Sequence, residues 1–434
     1  MPNKRVIVVG AGMAGLAAAY RLRQAGAQVI VLESSGRVGG RISTDSRDGY
    51  LVERGAQLIT STYRNALGLV KELGLESQLK PTSPWMAIVK DGIPRRIPSG
   101  ARFPLYAVTS GLVGVADLMR FIWHTTKLRW PPVDNYAAWA DYDDEDTARW
   151  CAPRLGHAAD YLVEPLVAGG LLCKVEETSR AMTLATLALT DNGRSNEMTL
   201  SGGLGTLPET LAARVEVKLE APVQAIEADS DGVSVRLSGE QMRADYVVLA
   251  TTAPVASRLY SGGNELERRL MATEYSSTIK IGLATSRHWR SEPALKDVWG
   301  FLIPRPDRKM VVSATLESAR GIERVPDGEM INMFIDSDSA IAMMNSSDDE
   351  ILAAVLPDIE RYFHGATSTK RFAEIVRLPT ALPKSPVGRS KDLAEYRRAE
   401  HPRLLLAGDY MGMPHFESAI ETGMWSADRI LGTR

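Results

Sequence analysis

The sequence predicts an α/β fold that opens on a βαβ unit and includes a long helical stretch. Three observations predict it. Residues 4–44 read as strand, glycine-rich turn, helix and strand in direct succession. Two further apolar runs, Tyr246–Ala250 and Leu404–Ala407, have the composition of strands buried on both faces but lie far downstream. Between about 99 and 200 the apolar spacing turns helical, through Leu112, Val113, Val115, Leu118, Met119 and Ile122.

The first element, Val6–Val9, is a short β-branched run. Gly10-Ala11-Gly12-Met13-Ala14-Gly15 follows at once and opens a helix through Leu16, Ala19, Tyr20 and Leu22. Gly26 sits where a left-handed C-cap belongs. A second apolar run, Val29–Leu32, ends in Glu33. Gly10 permits the tight turn, Gly12 leaves its backbone open to a pyrophosphate, and Gly15 lets helix and sheet pack closely. The free N–H groups and positive end of the helix then meet the phosphates. Glu33 lies 18 residues after Gly15, near the distance at which an acid reaches a ribose hydroxyl. These elements in register specify a dinucleotide site; a glycine-rich turn without a ligand is the bland alternative that the register disfavours.

The continuation, Ser34-Ser35-Gly36-Arg37-Val38-Gly39-Gly40-Arg41, resembles the extended fingerprint of the flavin amine oxidase superfamily, which includes monoamine and polyamine oxidases, protoporphyrinogen oxidases and phytoene-type desaturases. The resemblance implies FAD, with Gly39-Gly40 close to its pyrophosphate and Arg41 against the cofactor. Met13, Ala14 and Ser34 join the implied contacts. Glu53-Arg54-Gly55-Ala56-Gln57 matches the next family segment, in which Gly55, Ala56 and Gln57 run near the flavin ring. Ser201–Leu207 resembles the family's "GG-x-x-x-L" return to the FAD domain, and Pro222–Ile226 the segment whose backbone pairs with adenine at Val223. Ala244–Pro254 resembles the second family strand, whose following loop, at Thr251, closes on the cofactor. Gly408-Asp409 matches the pair that holds the ribityl or phosphate side. A helix starting near Glu417, with Ser418 and Ala419 in its first turn, would point its positive end at the flavin pyrimidine edge. The implied architecture is a Rossmann-like FAD-binding domain of residues 1–60, 201–270 and 386–434. Residues 61–200 and 271–385 would then form the mixed α+β substrate-binding domain, helical over about 99–200.

Other elements follow from local pattern. Tyr63–Leu75 has helical spacing, ending near Gly74, and Asp91-Gly92 turns a hairpin between Met86–Val89 and Ile93–Ile97. Phe103–His124 reads as a helix; its Asp117 and Arg120 argue against a membrane span. Pro131-Pro132 breaks the run. Five acids within Asp141–Asp146 read as an acidic first turn of a helix, not a metal site. Arg149–Gly156 and Tyr161–Gly170 resemble the "RLG…EPLxxG" helical region of protoporphyrinogen-oxidase-like proteins. Leu211–Val215 completes the helix after Gly205, and Asp231-Gly232 turns a second hairpin. Asp348–Phe363 is an amphipathic helix with a kink or break expected at Pro357. Met330, Met333, Met343 and Met344 read as core filler.

Bulk properties exclude several functions. A net charge of −2 gives no positive field for nucleic acid. Two cysteines, Cys151 and Cys173, rule out a disulfide framework, and the six histidines show no metal-binding spacing. No signal peptide precedes the first strand, so the expected compartment is the cytoplasm, with peripheral membrane contact open but not favoured.

FAD carries the redox chemistry in such a protein, so no catalytic triad is expected, and none is visible. Ser277–Leu283, followed by His288-Trp289, resembles the amine oxidase strand in which a lysine holds a water against the flavin and assists reoxidation by oxygen; Lys280 falls on that position. A snorkelling edge-strand lysine is the alternative. The two aromatic residues that form the amine cage fall on His415 and near Ala381 instead. Thr380–Gly388 resembles the protoporphyrinogen oxidase "ALPxxxVG" segment. No cysteine lies near either cage position, so the flavin is expected to be non-covalent. His415 reads either as a general base or donor beside the flavin, or as a loop residue facing solvent. The expected activity is oxidation of a small-molecule substrate by hydride transfer to FAD, with O2 as acceptor. Amine C–N oxidation is slightly favoured by Lys280. Residues 149–170 and 379–388 favour dehydrogenation of a larger hydrophobic molecule, and a non-redox flavoprotein is the alternative of another class.

Overall fold

The computed structural model describes residues 4–126, 128, 130–190 and 196–433. A five-stranded parallel sheet runs in the order Glu216–Lys218, Gln28–Leu32, Arg5–Val9, Tyr246–Leu249, Leu404–Leu406. Three distant stretches of chain thus meet in one layer. Val9 is in register with both Leu32 and Leu249, and Leu249 with Leu406. Four strands therefore finish level at their carboxyl ends, where open α/β sheets bind ligands. The helix Met13–Gln24 packs on the carboxyl-terminal helix Phe416–Leu431. That contact needs Gly423, because a Cβ there would lie 2.1 Å from the Ala14 carbonyl oxygen.

A second sheet of seven strands has the order Lys370–Leu378, Thr278–Thr285, Glu329–Ile335, Val311–Leu316, Val298–Leu302, Trp85–Lys90, Ile93–Pro98. Strand period 2 sorts its faces. Ile279, Ile281 and Leu283 join Met333, Ala314 and Phe301 in a core under the helix Asp348–Glu360. Lys280, Asn332 and Thr315 belong to the opposite set. Met330 and Met333 are fully buried, as filler should be. The Asp91-Gly92 hairpin forms with both residues at positive φ, the geometry a two-residue turn requires.

Helices dominate residues 103–189, including a π-helical turn at Val167–Leu171. Four local expectations change. Phe103–His124 is two helices, Phe103–Thr109 and Val115–Thr126, because Gly111 takes a positive φ between them. The acids at 141–146 precede the helix Thr147–Leu155 instead of forming its first turn. Asp146 caps it by accepting the Arg149 amide, buried Asp143 accepts from Ser179 Oγ and the Ser390 amide, and Asp144 and Glu145 pair with Arg180. The helix at 348 passes through Pro357 and ends at Glu360, and that after Gly205 ends at Ala212. Among the described residues no helix is long and apolar enough to cross a membrane.

Candidate functional site

The level strand ends bring the fingerprint residues together. Gly10 turns the chain at φ +105°, and a Cβ on Gly15 would lie 1.9 Å from the Gly10 carbonyl oxygen, so Gly15 is where helix meets turn. Gly12 differs: a Cβ there meets nothing within 4 Å. Gly40 faces it, with a Cβ on Gly40 falling 3.7 Å from the Gly12 Cα, and Gly39 donates to the Ala11 carbonyl. The result is an open backbone groove at a helix N-terminus, the shape a pyrophosphate fits. Met13 and Ala14 are buried in the helix behind it.

Glu33 stands at the end of its strand, accepting from the Ala11 amide at 2.8 Å and from the amide and hydroxyl of Ser35; the Ser34 hydroxyl lies 3.4 Å away. The Ala221 amide donates to the Glu33 carbonyl, which brings the Val223 loop alongside. The Val223 amide has no acceptor among the described residues. Thr251 follows the Tyr246–Leu249 strand and touches the Gly10 turn. Gly408 leads into Asp409, whose carboxylate pairs with Arg41 at 2.8 Å. Arg41 also donates to the Ala381 carbonyl at 2.6 Å, and its own carbonyl accepts from the Ala56 amide. Gly55 passes so close to Arg41 that a Cβ would lie 2.3 Å from that oxygen.

Gln57 carries this strip to the polar face of the seven-stranded sheet. Its Oε1 lies 3.4 Å from both Thr315 Oγ1 and Arg320 Nη1. Here a fully buried network forms. Glu317 accepts from Arg320, from Arg324 Nε at 2.7 Å and from Asn332 Nδ2 at 2.8 Å. Arg324 reaches on to Glu53 Oε1 at 2.8 Å. Lys280 is fully buried beside this network and its Nζ has no partner; neither has Asn332 Oδ1. A Cβ on Gly282 would lie 3.2 Å from that oxygen and 3.5 Å from the Lys280 Nζ, so glycine leaves a niche between an orphan donor and an orphan acceptor. Burial draws the Lys280 ammonium down to about 8, against the pull of Glu317 and Glu53. A separate cavity of about 410 Å³, lined by Trp85, Arg290, Asp297, Ser318, Glu329 and others, holds none of the sequence-predicted site residues.

Residues 13–431 match the profile of the flavin containing amine oxidoreductases. The chain belongs to that family. Coproporphyrinogen III oxidase of Propionibacterium freudenreichii subsp. freudenreichii is 27% identical, the match covering 98% of this chain and 90% of the relative. Protoporphyrinogen oxidase 2 of Arabidopsis thaliana is 24% identical over 83% and 80%. Putrescine oxidase of Kocuria rosea is 30% identical over 53% and 50%. Cyclohexylamine oxidase of Brevibacterium oxydans superposes over 100% of both chains, with a TM-score of 0.78 at 18% identity, which shows the shared fold. This amine oxidoreductase is therefore a mixed α/β flavin oxidase of the same architecture, and FAD is the cofactor its family implies.

Within the family frame His415 takes a definite form. It is the N-cap of the carboxyl-terminal helix, with Nδ1 accepting the Ser418 amide at 3.2 Å. The neutral ring then carries its hydrogen on Nε2, which is buried and has no acceptor. Burial pushes the imidazole down to about 3, and its ring stacks on Tyr63 at 5.2 Å. Both ring nitrogens thus face the protein, although the residue as a whole is partly exposed. The Ala419 amide is taken by the His415 carbonyl. With Ser418 and Ala419 both engaged, Phe416 and Glu417 hold the amides left open at this helix end. Ala381 is buried against Ala168, Leu172 and Val312, with Phe334 and Leu382 packed on them.

Sequence reasoning missed Asn332, Thr315, Glu317, Arg320 and Arg324. A signal existed: in three neighbouring strands a polar residue alternates with core residues, as in Ile279-Lys280-Ile281, Ala314-Thr315-Leu316 and Ile331-Asn332-Met333. It marks a polar face but does not say which acid meets which base.

Proposed function

We propose that the protein is an oxidase whose FAD lies across the carboxyl ends of the parallel strands, and that it dehydrogenates a bulky reduced ring substrate of the porphyrinogen type. One observation carries the substrate reading: the two positions that would flank a neutral amine hold Ala381, buried in an apolar wall, and His415, locked as a helix cap. Tyr63 and Phe416 lie beside His415, but the buried side chains around Ala381, those of Ala168, Leu172 and Val312, are aliphatic.

The residues present fit FAD. The groove between Gly12 and Gly40 receives the pyrophosphate, Arg41 its charge, Glu33 the ribose hydroxyls, and the unpartnered Val223 amide the adenine edge. Asp409 takes the ribityl side. These residues would hold the cofactor, which would supply the hydride-accepting and oxygen-reducing chemistry. The Phe416 and Glu417 amides, at the positive end of their helix, donate to the cofactor's pyrimidine edge. Lys280 supplies a cation in a dry site, where charge is stabilised far more than in water. The His415 Nε2–H offers a hydrogen bond and takes no proton. On this reading residues 1–60, 201–270 and 386–434 serve the cofactor, and the remainder encloses the substrate.

Amine C–N oxidation is the second reading, favoured by Lys280. Anaerobic mixing of the yellow protein with two pools decides between them. Flavin bleaching by reduced tetrapyrroles and not by primary or secondary amines is expected. Bleaching by amines alone would overturn the substrate assignment and leave the FAD assignment standing.

A further inference from the structure

Three arginines are buried among the described residues: Arg320, Arg324 and Arg389. The first two pair with carboxylates. Arg389 pairs with none. It opens the helix Arg389–Arg398 at 7% exposure, and its Nη2 donates to the Tyr410 carbonyl. Burial pulls its guanidinium down to about 10. Asp392 pulls the other way but makes its ion pair with Arg269 instead, and does not offset the burial. A buried cation without an anion is a costly arrangement, and one that a ligand anion relieves.

Its surroundings say which ligand. Tyr410 follows Asp409, whose carboxylate is held by Arg41. Tyr275 stands beside both: its ring lies 5.7 Å from the Arg41 guanidinium, and its hydroxyl accepts from the Ala253 amide at 3.3 Å, just past Thr251. The Tyr410 hydroxyl is buried and has no partner. Arg41, paired with Asp409, and Arg389, without an ion pair, therefore lie near the carboxyl ends of the Tyr246–Leu249 and Leu404–Leu406 strands, beside a buried hydroxyl that has no partner.

We infer that Arg389 is a second cationic contact for the FAD pyrophosphate, sharing with Arg41 a doubly charged group that one arginine already bound to Asp409 cannot neutralise. The inference rests on the FAD reading above.

Removing a charge that is uncompensated only in the apoprotein should move two readouts in opposite directions. Arg389→Met should raise the melting temperature of the apoprotein and weaken FAD binding, followed by flavin fluorescence, by about tenfold or more. Riboflavin, which lacks the phosphates, should bind the variant as it binds the parent. Arg389→Lys, which keeps the charge, should recover most of the FAD affinity. A structural role predicts the reverse for the apoprotein, so a lowered melting temperature or failure to fold would overturn the inference. Unchanged FAD affinity, or equal losses for FAD and riboflavin, would do the same. Parent apoprotein that takes up no FAD would instead remove the cofactor reading itself.

Discussion

His415 and Lys280 show how burial sets what one side chain can do. Both are enclosed, both have a nitrogen without a partner, and burial favours the neutral form of each. At about 3 the imidazole never charges in the working range, so no step in activity near its ordinary pKa should come from His415. Lys280 is different: at about 8 it is charged at neutral pH and loses its proton as the pH rises further. Oxygen reactivity that depends on this cation should therefore fall as pH rises through about 8. Lys280→Met should slow reoxidation of the reduced protein about 100-fold while reduction by substrate changes little. Stopped-flow traces with unchanged oxygen kinetics would remove Lys280 from the mechanism. At this scale the sequence placed Lys280 within an apolar strand, and the structure buries it there. For His415 it left two readings open and did not show the cap, because a capping geometry depends on where the next helix begins.

Among elements, the strand–turn–helix of residues 5–24 was the most legible, since its glycines are forced by close approach. The structure further divides them by function. Gly15 and Gly10 are packed against backbone and belong to the fold; Gly12 faces open space, where the proposed cofactor would pass. Gly12 also has φ −75°, which any residue adopts. Gly12→Glu should therefore give a folded, colourless protein, with unaltered far-ultraviolet circular dichroism and no flavin absorbance. Gly15→Ala, with its Cβ 1.9 Å from a carbonyl oxygen, should instead lose soluble yield. A yellow Gly12→Glu protein would sink the fingerprint assignment. The helical region was less legible. Its composition announced helices, but the break at Gly111 and the scattering of the acids at 141–146 to Arg180, Ser179 and Ser390 depend on contacts that local spacing does not encode.

For the molecule as a whole, the buried chain Glu53–Arg324–Glu317 ties the two sheets' surroundings into one body. Glu53 sits at the end of Tyr50–Glu53, four residues before Gln57, and is held by Thr44 Oγ1 and the Leu204 amide. Glu317 follows the strand Val311–Leu316 of the seven-stranded sheet. Arg324 spans them, and the strip that runs past Arg41 is thereby fixed against the strand that carries Lys280. No sequence pattern pairs residues 271 positions apart, so this link was invisible beforehand. Arg324→Met leaves two buried carboxylates facing each other with one cation fewer, and breaking a buried pair in this way costs about 3–5 kcal/mol. The sign of its pH dependence follows from Glu317. Burial acts to raise that carboxyl, but Arg320 and Arg324 overcome it and hold it at about 2, below its ordinary 4.5. A depressed carboxyl contributes stability above its unfolded pKa and loses it as pH falls toward the folded one. The parent should thus weaken between about pH 4.5 and 2, whereas the variant, with less attraction to lose, should weaken less. Denaturant unfolding of both proteins at pH 7 and near pH 4 should show the gap between them shrinking on acidification; a gap that stays constant would mean that Arg324 acts by packing and not by charge.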